Sequence, residues 1–66
     1  MEYTNSQIKA LIDDLIHSAR DRQVLYLRLV DGLTFEKIAE CMELSVRYTK
    51  TIVYKNEQVL FSHLPG

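Results

Sequence analysis

Between Met1 and Leu64 the chain holds one glycine, Gly32, and no proline; the remaining glycine and the single proline are Gly66 and Pro65. These two residue types punctuate hairpins and tight turns, so a chain this poor in both is expected to run as helices joined by short connections. Its 66 residues, against about 100 to 200 for an average domain, leave room for one small domain spanning 1–66. Two-domain architectures, barrels and doubly wound sheets are excluded. A chain of this size buries only about 60% of the surface its unfolded form exposes, so nearly every apolar side chain is needed for the core. Hydrophobic residues make up 47% of the sequence, which is enough.

Helical spacing divides the chain into four segments. Thr4-Asn5-Ser6-Gln7 fits a capping box, with Tyr3 and Ile8 at hydrophobic-staple positions. Ile8, Leu11, Ile12, Leu15 and Ile16 then form one apolar stripe, so residues 1–17 read as an N-terminal helix. His17 falls one turn after Asp13, a spacing that suits an ion pair or a contact with the helix C-terminus. Ser18 is placed to cap a second helix, with Asp21 near its positive end. Val24, Leu25, Leu27, Leu29 and Val30 wrap more than one face of it, as in a helix at the centre of a bundle. Gly32 supplies the left-handed stop, with Leu33 as the accompanying hydrophobic contact.

Thr34 caps a short third helix that turns Phe35, Ile38, Ala39 and Met42 inward. After a turn at Glu43-Leu44, Ser45 caps a fourth helix with inner stripe Thr49, Ile52, Val53, Asn56, Val59 and Leu60. The expected fold is all-α, with four helices. A short helix joined by a tight turn to a second one is the pattern of a helix-turn-helix, here within a core of residues 18–62. Ala39 is small enough to let the two helices approach, and Leu44 is placed to plug the gap between them.

That inner stripe leaves Val46, Arg47, Lys50, Thr51, Tyr54 and Lys55 on the outer face of the fourth helix, a cationic face without an acid. Residues 1–43 carry five bases and eight acids, residues 44–66 three bases and one acid, so charge is segregated toward this helix. Arg47 and Lys50 lie in its first two turns, the part of a recognition helix that reaches base edges, whereas Tyr54 and Lys55 lie further along and suit phosphates.

Other functions find little support. The net charge of −1 excludes coating of nucleic acid by bulk charge, so polyanion binding must be local. Cys41 is the single cysteine and, with His17 and His63 scattered, makes no metal-site spacing, so neither metal nor cofactor is expected. A lone cysteine also fits a reducing, cytoplasmic setting. No glycine-rich phosphate loop is present, Asp13-Asp14 reads as a solvated face, and four short helices scarcely enclose a catalytic pocket, so no enzyme is expected. The start of the chain lacks a basic and apolar leader, and no apolar run approaches the roughly 18 residues of a membrane span.

The run Asp21-Arg22-Gln23-Val24-Leu25-Tyr26-Leu27-Arg28-Leu29-Val30-Asp31-Gly32-Leu33-Thr34-Phe35-Glu36-Lys37-Ile38-Ala39-Glu40 resembles region 4 of bacterial RNA polymerase sigma factors. The likeness covers about residues 18 to 61 and is carried by the VLxLR, DGLT and IA pieces and the closing Val59-Leu60 pair. It implies that Val46, Arg47, Lys50 and Thr51 face base edges, and that Thr34 and Arg28 approach the DNA backbone. It also implies recognition of an upstream promoter element together with docking on the polymerase β flap.

Glu43 departs from the glycine that many helix-turn-helix proteins carry in the turn, and Thr49 and Val46 depart from the usual aliphatic and arginine. Region 2 has no room in 66 residues, so a small regulator or sigma-like factor is expected and not a complete sigma factor. So few cations bind duplex DNA weakly in a lone copy; a homodimer on paired half-sites or docking on polymerase would add the missing affinity. The competing reading is an interaction module that binds a sigma factor or the β flap without touching DNA.

Overall fold

The computed structural model describes residues 3–63. They form α1 (Asn5–Leu15), α2 (Ala19–Leu25), α3 (Phe35–Met42) and α4 (Val46–Ser62), without a strand among the described residues. Each helix begins at a hydroxyl residue, because the first amides of a helix lack acceptors of their own. Thr4 accepts from the Gln7 amide at 3.2 Å, and the Gln7 side chain accepts in return from the Thr4 amide at 2.8 Å. Ser18, Thr34 and Ser45 accept from the amides of Asp21, Lys37 and Tyr48 at 3.4, 3.1 and 3.0 Å. Such a cap is worth about 1 kcal/mol, so all four helix starts are set locally.

The second helix differs from its expected course. Regular α-helix ends at Leu25, and Tyr26–Val30 winds as a π-helix, closed by the Asp31 amide donating to the Tyr26 carbonyl at 3.0 Å. The wider turn is held by bonds that apolar periodicity does not encode. The Tyr26 hydroxyl donates to the Asp13 carboxylate of α1, and an Arg28 N–H donates to the Leu33 carbonyl at 2.9 Å. The bond to Asp13 pushes the Tyr26 hydroxyl above its usual acidity range. The Leu33 amide then donates to Leu27 at 2.9 Å, and Gly32 adopts φ 72° as the left-handed stop. A Cβ on Gly32 would meet nothing within 4 Å, so the backbone angle and not crowding requires glycine there.

Asp13 therefore serves Tyr26, and the expected pairing with His17 does not occur. α1 ends at Leu15 and Ile16 is extended, which carries His17 off the helix into an exposed connection. Arg22 of α2 closes this end by donating to the Ile16 and His17 carbonyls at 2.6 and 3.2 Å.

The core joins Ile12 and Ile16 to Val24, Leu25, Ile38, Ile52, Val53 and Leu60. Full burial of side chains of this size contributes about 1.5–3 kcal/mol each. α4 packs against α1, α2 and α3, and the second segment, α2 with the π-helical turn that follows it, likewise touches α1, α3 and α4, as expected of a helix at the centre of the bundle. Its buried line runs through Thr49, Ile52, Val53, Asn56 and Leu60. Val59, expected on that line, lies at its edge and is exposed, as is Phe61. Ala39 is buried at the approach of α3 to α4, and Leu44 is half-buried in the turn. Between them Glu43 takes φ 56°, the left-handed conformation that the missing glycine would have adopted freely.

Candidate nucleic-acid interface

Ser45 fixes where α4 starts, and the buried Thr49, whose hydroxyl donates to the Ser45 carbonyl at 2.9 Å, fixes which face turns inward. Arg47, Lys50, Thr51, Tyr54 and Lys55 are consequently exposed, while Val46 is half-buried. Arg47 and Lys50 follow one another along the helix at about 4.5 Å of rise. The Thr51 hydroxyl donates to the Arg47 carbonyl at 3.1 Å, and the residue is exposed. Glu57 is the one acid of α4, beyond this segment.

The start of α3 brings a second set of expected residues together, around a ring not singled out as functional. Phe35 follows the Thr34 cap, and the Arg28 guanidinium lies over its ring, 4.3 Å from the centroid. The Lys50 ammonium of α4 lies 5.7 Å from the same centroid. Tyr54 meets Phe35 nearly edge-on, with centroids 5.7 Å apart and planes at 70°. Arg28, Thr34, Lys50 and Tyr54 thus gather at one end of α3. Each cation over such a half-buried ring contributes roughly 0.5–1 kcal/mol, enough to bias its direction. The signal in sequence was an aromatic at the first position of α3, which apolar periodicity assigns to the interior.

A second arginine–aromatic pair flanks the other side of α4. Arg20 lies over the ring of Tyr48 at 5.1 Å and pairs with Asp21 at 3.2 Å. The hydrogen bond to Asp21 raises the Arg20 pKa, an effect opposed by partial desolvation and helped by Tyr48. Asp21 is nearly buried, and its other oxygen accepts from the Asn56 amide at 3.1 Å; that amide also donates to the Ile52 carbonyl at 2.8 Å. This network ties α2 to the inner side of α4. An apolar groove of about 140 Å³ opens among Tyr3, Ile8, Leu11, Leu29, Leu60 and Phe61.

Among the described residues no helix is long and apolar enough to cross a membrane, and no cluster of three His, Cys, Asp or Glu is placed to hold a metal ion. Comparison with curated proteins and with solved structures produced no match. The family model described as Sigma-70, region 4 matches residues 18–55, more than half of the chain, from the cap of α2 through α3 and the turn to Lys55 of α4. With its capped short helix, left-handed turn and outward cationic α4, the chain belongs to the sigma-70 region 4 family, DNA-binding helix-turn-helix domains of transcription.

Proposed function

We propose that this protein is a small transcriptional regulator or sigma-like factor that reads duplex DNA through α4 while docked on RNA polymerase. The observation that carries the reading is the exposed, acid-free outer face of α4, with Arg47 and Lys50 in its first two turns beside a cationic cluster at the start of α3. Arg47 has the fork that matches the acceptors of guanine in the major groove, and the methyl groups of Val46 and Thr51 suit thymine. Thr34 and Arg28 at the start of α3, and Tyr54 and Lys55 further along α4, are the groups assigned in this reading to phosphates. Nothing in this arrangement supports catalysis.

With few cations, a single copy binds weakly, and polymerase supplies the remaining affinity by holding the domain near the promoter. Sedimentation tests this: a monomer at high concentration agrees with it, whereas a stable dimer moves the source of affinity to a second copy. The central experiment is fluorescence anisotropy of a labelled mixed-sequence duplex with wild type and Arg47→Glu/Lys50→Glu at low and moderate salt. Salt-sensitive binding lost in the double variant is the expected outcome. No binding by either folded protein would replace this reading with the interaction module on the polymerase flap.

A further inference from the structure

Periodicity groups Lys50 with the base-facing residues, but its ammonium is turned toward α3, over a ring that already carries Arg28. We propose that Lys50 is a DNA-backbone contact and not a base reader, and that Phe35 is the positioning residue that presents Lys50 and Arg28 together to phosphodiester oxygens. The assignment rests on the DNA-binding reading above and adds to it how the cations are divided.

Three observations support it. Phe35 is the first residue of α3, so both cations gather at a helix end whose free amides favour an anion. Tyr54 braces the ring edge-on, which keeps it from turning away. Finally, the ion pairs among the described residues are Arg20–Asp21 and Lys37–Glu40, so neither Arg28 nor Lys50 is ion-paired, and the acid in the first turn of α3, Glu36, pairs with neither. Two like charges drawn to one ring repel each other, and a bound anion removes that cost. Arg47 is then the cation of this face left for base edges.

The test uses a duplex selected from random sequence by the wild-type protein, together with single-base variants of it, titrated at several salt concentrations. Lys50→Ala is expected to weaken every duplex by the same factor and to lower the slope of log affinity against log salt by about 0.9, one phosphate contact. Arg47→Ala is expected instead to narrow the gap between matched and mismatched duplexes by roughly 5- to 150-fold at one position. Phe35→Leu should reproduce the Lys50→Ala pattern in a chain still helical by circular dichroism, and Phe35→Trp should restore the wild-type slope. If Phe35→Leu does not fold, Phe35→Trp and Lys50→Ala still carry the test.

Without DNA, proton NMR should show the Lys50 ε-methylene shifted upfield by the ring in wild type and not in Phe35→Leu. A change of base preference in Lys50→Ala with the slope unchanged overturns the assignment. So does an unshifted Lys50 methylene in wild type, which leaves DNA binding itself intact. Absence of salt-dependent binding by wild type overturns the DNA reading and this assignment with it.

Discussion

Two arginines stand over aromatic rings on the two flanks of α4, and their surroundings give them opposite uses. Arg20 over Tyr48 is paired with Asp21, and Asp21 is in turn bonded to Asn56, so the charge is neutralised within the protein and the cluster fastens α2 to α4. Arg28 over Phe35 is half-buried, has a carbonyl for its partner and shares the ring with Lys50, with no carboxylate paired to it. A cation over a ring is thus a positioning device in both places. Whether the cation holds the fold or remains for an external anion depends on a carboxylate.

The comparison breaks hardest at Asn56. Asn56→Leu keeps the volume but leaves the nearly buried Asp21 oxygen without its donor, at a cost of about 1–3 kcal/mol. At roughly 4–8 °C per kcal/mol for a domain of this size, thermal melting would show it, while the salt slope of DNA binding in the folded protein should stay unchanged. A melting temperature equal to wild type would mean that the network does not fasten α4.

Converting the open flank into the closed type is the sharper test. Aspartate caps helices about as well as threonine, so Thr34→Asp should leave melting nearly unchanged while placing a carboxylate beside Arg28 and Lys50. DNA affinity is expected to fall on all sequences, with the salt slope lower by about one unit or more. Unchanged binding would remove this end of α3 from the interface.

Between the flanks lies the turn, where Glu43 holds a left-handed angle that costs a side chain about 1 kcal/mol. Glu43→Gly relieves it and also removes a negative charge near the DNA face, so a melting temperature higher by a few degrees and tighter DNA binding are expected; a lower one contradicts the strain. The smallest effect belongs to Arg20→Ala. Its pair with Asp21, half-exposed on the arginine side, is worth about 0–1 kcal/mol, and because the charge is internally matched the salt slope should not move. A slope lower by about one unit would place Arg20 among the phosphate contacts and erase the distinction between the flanks.

What was legible in the sequence follows from how far apart the partners are. Thr4, Ser18, Thr34 and Ser45 cap helices through amides three residues on, and Gly32 stops its segment by its own backbone angle, so all of these could be read from neighbours. The outward set on α4 followed from helical spacing, and the family likeness from the VLxLR, DGLT and IA pieces. The π-helical stretch could not be read, since Tyr26 and Asp13 stabilise it across two helices. Asp21 and Asn56 meet 35 residues apart, and either alone looks like an ordinary surface residue or an interruption of an apolar stripe. Phe35 was read as interior because spacing distinguishes inside from outside but not which cations will settle on a half-buried ring.

The sequence by itself determined the number of helices, their starts, the helix-turn-helix pairing and the face of α4 that looks outward, because these depend on local hydrogen bonds and on the 3.6-residue period. Only the tertiary structure decided how the charges are used. Arg20 turned to Asp21 and Lys50 turned to Phe35 are choices made by the packing of α2 and α3 against α4, where distances of a few ångströms between residues distant in sequence set which electrostatic partner wins.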